Sequence, residues 1–456
     1  MKTVTRLPHS KNIEMISGSL WKNILLFSIP LMFSMLLQVV FNMADIAVVG
    51  LFSGAQALGS VGSTATLVTL FTGFLIGIGN GVNVRVAHFI GARDEDAVKQ
   101  TVQTSFAVSG AVGLAIFALC FFLSRPMLML LNTKPDLIDG AVLYLKIYAF
   151  GMPALAFFNF GNAVMSANGD TRRPLFFLTT AGILNLVLNL FFVIVCGMSV
   201  DGVALASIIS QYLSAFLTVG HLARGGGICR LVFRPFKFSF RRARSILGLG
   251  IPAGLQHAVF AVANLFIQGA VNSFDTVTVE GNSAAANADA IIYNLMAAFY
   301  TACSAFVGQN LGAGNRKRIR HSYFISVVYS FAIGAVMGLL LLVFGNEFLR
   351  IFTKESAVVE MGMQRLRIMA FSYAFSAFMD CTIAAARGIG KSIVPTIIVL
   401  LGSCVFRVIW IYTVFAHYHT VPSLYLLYIF SWAITGAAEI IYFIVSFRKL
   451  TKKLPT

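Results

Sequence analysis

Long apolar runs separated by short, mostly basic segments dominate the chain. Stretches free of Asp, Glu, Lys and Arg cover 46–84, 100–124, 147–169, 174–200, 202–223, 245–274, 290–315 and 321–346. Four more carry a single formal charge: 24–50 with Asp45, 368–386 with Asp380, 392–421 with Arg407 and 422–447 with Glu439. A membrane-crossing helix needs about 20 mainly apolar residues. The pattern therefore predicts twelve transmembrane helices with short connections, the third near 100–123 and the fourth near 141–166. Strand-like alternation is missing, which argues against a β-barrel. The first apolar run follows Lys22 and reaches Gly50 without a small-residue cleavage pattern, so it reads as a permanent span rather than a signal peptide.

Composition agrees. Of 456 residues, 58% are hydrophobic and only 11% charged, with mean hydropathy +0.84. A soluble domain carries about 25% charge, so a water-soluble enzyme is excluded. The formal net charge of +17 would suit a nucleic-acid binder, but its distribution points elsewhere. With the N-terminus placed inside, the inner segments hold 26 of the 34 Lys and Arg and the outer segments hold seven. That asymmetry sets a multi-pass topology with both termini cytoplasmic. No nucleic-acid partner is implied. Six cysteines form no CxxC pair, so no zinc or redox motif is indicated; they read as small packing residues.

The basic segment 223–245 divides the chain into a first lobe (1–222) and a second (246–456), six helices each. Landmarks recur across it. Ile29-Pro30 matches Ile251-Pro252 and Asn42 matches Asn264, both at an offset of 222; Gly91-Ala92 matches Gly312-Ala313 at 221. The loop from Gly169 to Pro174 matches that from Gly390 to Pro395, again at 221. Halves with an even number of helices share one orientation, so the expected relation is a pseudo-twofold axis along the membrane normal, with a cleft suited to alternating access. Gly73, Gly77 and Gly81 repeat every fourth residue, a pattern for close helix contact. Pro30, Pro153 and Pro252 are candidate bend points.

Asp45 is the one acidic residue within a predicted first-lobe span. A lone carboxylate in lipid costs at least about 2.5–3.5 kcal/mol, so it should face the lobe interior, where it could carry a proton, hold a cation or make a structural hydrogen bond. At about 1.5 Å rise per residue, Asn189 stands roughly 22 Å from the inner end of span five and Ser207 roughly 7 Å from the outer end of span six. In a core about 30 Å thick these heights coincide. Asn185 and Asn189, four apart, share a helix face. Oxygens of Asp45, Asn185, Asn189 and Ser207 could hold a hard cation.

Several motifs resemble those of the multidrug and toxic compound extrusion (MATE) family. They are Ile29-Pro30 with Asp45-Ile46-Ala47-Val48-Val49-Gly50, Ala167 to Pro174, Val307-Gly308-Gln309-Asn310-Leu311-Gly312-Ala313-Gly314, and Arg387-Gly388-Ile389-Gly390. The resemblance spans essentially the whole chain and is strongest to the bacterial DinF-like branch, which implies a place in the bacterial plasma (inner) membrane. It implies secondary active efflux of drug-like, often cationic amphipathic compounds by antiport with protons or sodium ions. Apart from that coupling ion no cofactor is expected, and the expected state is a monomer. The family's first-lobe cation site implies roles for Asp45, Asn185, Asn189 and Ser207, with Tyr144 nearby or, equally, at the membrane interface. An Asn at 189, where the family has Asp, leaves Asp45 as the only carboxylate and favours the proton.

In the second lobe, Asp380, Arg407 and Glu439 are expected to form a salt-bridged triad, with a second coupling or gating site as the alternative. Span seven offers Gln256, His257 and Asn264 but no acid, so a sodium site there is disfavoured; His257 reads as a packed, hydrogen-bonded residue, or else as a substrate contact. A flippase for a lipid-linked precursor is the alternative function. An intramembrane enzyme is not supported, since HExxH is absent and His257 is the single mid-span histidine; nor is a channel, for want of a filter-like loop.

Overall fold

The computed structural model describes residues 12–452. Lys2, Arg6, Lys11 and Lys453, counted above for topology, lie outside them. Among the described residues there is no β-strand. Twelve helical spans follow one another. The first lobe holds α1 (Leu20–Val48, extended by a π-helical turn Val49–Ser53), α2 (Gly54–Gly91), α3 (Glu95–Leu130), α4 (Pro135–Ala149 and Met152–Ala167), α5 (Arg172–Val195) and α6 (Val200–Arg224). The second holds α7 (Phe240–Val271), α8 (Thr276–Gly312), α9 (Arg316–Arg350), α10 (Ser356–Gly388), α11 (Ile393–Tyr418) and α12 (Val421–Thr451).

The two parts of α4 meet at 48°, beside Pro153. Pro30 and Pro252 instead lie inside continuous helices. The α3 and α4 helices start several residues before the predicted 100 and 141, because charged first turns, with Glu95 and Asp96 in α3 and Asp136 in α4, belong to the helix ahead of the apolar segment; α3 also continues past 123 to Leu130. Asp94 caps α3 by accepting from Ala97 N at 2.9 Å. Its counterpart 221 residues on, Asn315, caps α9 by accepting from Arg318 N at 3.1 Å. Helix starts repeat at the same spacing: 95 and 316, 135 and 356, 172 and 393, 200 and 421.

The lobes meet in the half of the molecule that carries the basic connections. A Cβ at Gly77 would lie 2.2 Å from Gly254 N, and one at Gly81 2.5 Å from Ile246 O. The glycine series therefore seats α2 directly on α7. A reciprocal contact lies beyond it. A Cβ on Gly91 would fall 1.9 Å from Gln309 O, and one on Gly312 1.9 Å from His88 O. Each residue is related to its counterpart by 221 positions, so the contact itself obeys the pseudo-twofold. Ile24, Phe27 and Leu31 of α1 pack against Ala298, Phe299 and Phe306 of α8 at the same end. Toward the opposite end, Val40, Met43 and Ile46 of α1 and Tyr293 of α8 are exposed.

A strap of residues 12–19 lies across this closed end. Ile13 N donates to Gly169 O of the first lobe at 3.0 Å. Arg318 of the second lobe donates to the carbonyls of Met15, Ser17 and Gly18 at 2.9–3.0 Å, and Asn310 donates to Met15 O at 3.1 Å. Gln309 also reaches over to Ala167 O at 2.6 Å.

Candidate functional site: a half-buried carboxylate in the first lobe

Asp45 sits near the end of α1, where Phe41, one turn earlier, packs on Gly182 of α5. A Cβ at Gly182 would lie 1.8 Å from the Phe41 ring, so glycine at that position lets the ring lie flat against α5. The approach brings Asp45 to Asn189, whose Nδ2 donates to Asp45 Oδ1. The same amide lies 3.4 Å from Asn185 Oδ1. Asn189 is fully buried and its Oδ1 accepts nothing. Such an orphan acceptor beside a carboxylate is costly unless something fills the place. A π-helical turn follows each partner, Val49–Ser53 after Asp45 and Phe191–Val195 after Asn189; such turns are frequent at functional sites.

Two expected members behave differently. Ser207 is buried, and its hydroxyl donates to Val203 O of its own helix at 3.0 Å. Tyr144 is buried and stacks on Tyr148 at 5.8 Å; both phenols stand within the electrostatic field of Asp45. Among the described residues no three His, Cys, Asp or Glu side chains converge as a metal site.

The second lobe departs from expectation. No ion pair within 4.0 Å joins Arg407 to Asp380 or Glu439 among the described residues, so the triad does not form. Arg407 donates to Ser431 Oγ at 3.2 Å, and its guanidinium lies 4.5 Å from the Tyr428 ring centre, 5.7 Å from Phe260 and 5.8 Å from Trp432. Ring faces satisfy the charge in place of carboxylates. Arg387, which the loop count placed outside the spans, is the cation whose field reaches both acids, and it donates to Gln256 Oε1 at 2.6 Å. Glu439 is fully buried and Asp380 nearly so; both oxygens of Glu439 and Oδ2 of Asp380 lack hydrogen-bond partners. His257 packs against Gly73 on α2, whose added Cβ would lie 2.8 Å from His257 Cβ. Asn264 is exposed and apart from this cluster.

The sequence missed a further network. Arg365, counted above with the outer segments, lies inside α10 and is 4% exposed. It forms an ion pair with Asp289 of α8 and donates to Asn282 O and Oδ1, each at 2.8 Å. Tyr373 donates to Asp289, and Tyr425 of α12 to Asn282. The network binds α8, α10 and α12 together. Removing one partner of a buried pair costs about 3–5 kcal/mol, because the other charge is stranded. Asp289→Ala should therefore lower the thermal midpoint of the purified protein markedly, and Asp289→Ala with Arg365→Met should recover most of the loss. Equal midpoints for wild type and Asp289→Ala would show that the pair contributes nothing.

Comparison with known proteins places this geometry. The MatE family profile matches twice, over residues 30–191 and 252–413. "Probable multidrug resistance protein YpnP" of Bacillus subtilis is 31% identical over 80% of this chain and 82% of its own length. The "FAD transporter" of Shewanella oneidensis is 22% identical over 76% of this chain and 77% of its own length. A solved outward-facing multidrug resistance MATE family transporter of the MOP superfamily superposes with TM-score 0.91 at 21% identity, over 98% of this chain and all of that one. This chain belongs to the MatE family. It is a multi-pass membrane protein of twelve helices in two lobes related by a pseudo-twofold axis, and members of its family are transporters rather than enzymes.

Proposed function

We propose that the protein is a secondary active efflux transporter for drug-like, cationic amphipathic compounds, driven by inward movement of protons or sodium ions. The observation that carries this reading is Asp45, the one carboxylate of its cluster, held by Asn189 Nδ2 between α1 and α5. Asn at position 189 leaves one carboxylate in the cluster, and this favours the proton. The lobes 1–222 and 246–456 would rock about the basic connector 223–245, of which 225–239 is non-helical. With the connector and both termini in the cytoplasm, contact at the basic end corresponds to an outward-facing state.

Inside-out vesicles provide the test. A cationic dye should accumulate when the lumen is acidified, and a sodium gradient alone should support under a tenth of that rate. FAD supplied in place of the dye should not accumulate. Accumulation driven equally well without either gradient would overturn ion coupling, and accumulation of FAD alone would overturn the cationic substrate class. In the same vesicles Pro235→Cys should react with an impermeant thiol reagent; protection there would reverse the orientation.

A further inference from the structure

The connector between the lobes is more than a tether. Over 230–244 it reads Arg-Leu-Val-Phe-Arg-Pro-Phe-Lys-Phe-Ser-Phe-Arg-Arg-Ala-Arg, basic and aromatic residues interleaved. Its backbone is pinned to α3. Gln103 donates to Val232 O at 2.6 Å and Pro235 O at 2.9 Å, and accepts from Lys237 N at 3.1 Å. Ser239 N donates to Thr104 Oγ1 at 3.2 Å. Arg242 donates to Gln100 and Thr101 and lies over the Phe89 ring at 4.6 Å. A segment fixed this firmly nonetheless presents Phe233, Phe236, Phe238 and Phe240 to the outside, Phe240 at 84% exposure. Arg234, Lys237, Arg241 and Arg244 stand exposed among them, and none has an acidic partner within 4.0 Å among the described residues.

Beside this segment lies a groove of about 480 Å³ between α7 and the start of α11. Phe240, Arg244, Leu247, Gly248, Ile251 and Ile393 line it. Its α7 wall is not the face that packs on α2, which is formed by Ile246, Gly250 and Gly254. Ser392 ties the two walls by donating to Leu249 O at 3.0 Å. Exposed Lys391 immediately precedes it. The groove is therefore apolar along its length and cationic at its rim.

We infer that this is a binding site for an anionic phospholipid of the surrounding bilayer. An acyl chain lies in the α7–α11 groove, Arg244 and Lys391 take the phosphate, and the aromatic segment rests in the headgroup boundary. Charge complementarity selects the occupant: juxtamembrane basic clusters attract anionic lipid, and amphipathic segments with aromatics on one side settle at the interface.

The test uses the purified full chain in detergent, with phosphatidylglycerol and phosphatidylcholine of matched acyl chains as probes. Native mass spectrometry should show phosphatidylglycerol retained at least fivefold over phosphatidylcholine, and phosphatidylglycerol should raise the thermal midpoint more. Arg244→Gln with Lys391→Gln should abolish that preference. Gly248→Leu should displace the lipid without unfolding the protein, because a Cβ there meets no atom within 4 Å. Equal retention of the two lipids, unchanged retention in Gly248→Leu, or stabilisation by a DNA oligonucleotide rather than phosphatidylglycerol would overturn the site.

Discussion

Asp45→Asn is expected to reduce ion-driven efflux at least a hundredfold while leaving expression and thermal stability close to wild type. The substitution is nearly isosteric. The amide oxygen it introduces can still accept from Asn189 Nδ2 as the Asp45 carboxylate does, so the contact between α1 and α5 survives. What disappears is the charge. A transporter can couple two fluxes only through a group that changes its occupancy with the driving ion and whose state alters the balance of conformations. Asn185 and Asn189 cannot titrate, so no neighbour in the cluster replaces the lost carboxylate. Loss of a partly buried, singly hydrogen-bonded charge is also not destabilising in itself, since its desolvation was unfavourable. Measurement of dye efflux alongside the thermal midpoint separates the two effects. Wild-type efflux by Asp45→Asn would end the assignment; loss of efflux together with collapse of the protein would make Asp45 a structural residue.

Gly91→Ala combined with Gly312→Ala should have the second largest effect. Each added Cβ would fall 1.9 Å from a carbonyl oxygen of the other lobe, a distance no side-chain rearrangement can relieve because the obstacle is backbone. Overpacking costs about 1–3 kcal/mol per site, equivalent to a shift of about 5- to 150-fold in a two-state balance. The strain falls between the lobes rather than within either, so both lobes should still fold and insert. The closed basic end should be destabilised, efflux should fall at least tenfold, and a cysteine at Ala87, fully buried where α2 meets Gly308, should become reactive. Unreactive Ala87→Cys in that background would mean that the lobes tolerate the added methyls.

The twelve spans and the repeat were legible because each is written in a long-range pattern, apolar length and a constant offset, that no single residue can obscure. The pairing of Asp45 with Asn189 was legible for a related reason: in an apolar run, a polar residue's height along its helix follows from counting. Counting gives height and leaves direction open. Ser207 stands in span six as expected, yet its hydroxyl bonds its own helix, the usual recourse of serine in an apolar setting. Arg407 had acids within plausible reach and turned to aromatic rings, Phe260 on α7 and Tyr428 and Trp432 on α12. Arg365 reads as a loop residue in the sequence because the apolar run of its helix begins only at 368, after Arg367, just as that of α8 begins only after Asp289; two opposite charges that neutralise each other inside the lobe make both helices look shorter than they are. The π-helical turns leave no mark in hydropathy.

The strap at residues 12–19 bears on the order of assembly. Its bonds to Asn310 and Arg318 join positions 295 to 303 residues apart, so the first described segment to leave the ribosome can rest on Gly169 of the first lobe but is not fully seated until α8 and the start of α9 have been made. The first lobe must wait with that segment held at one side only. When it docks, it closes a loop containing all of α1 to α8, so the two halves are registered by the chain's own beginning only after the second lobe has started to form.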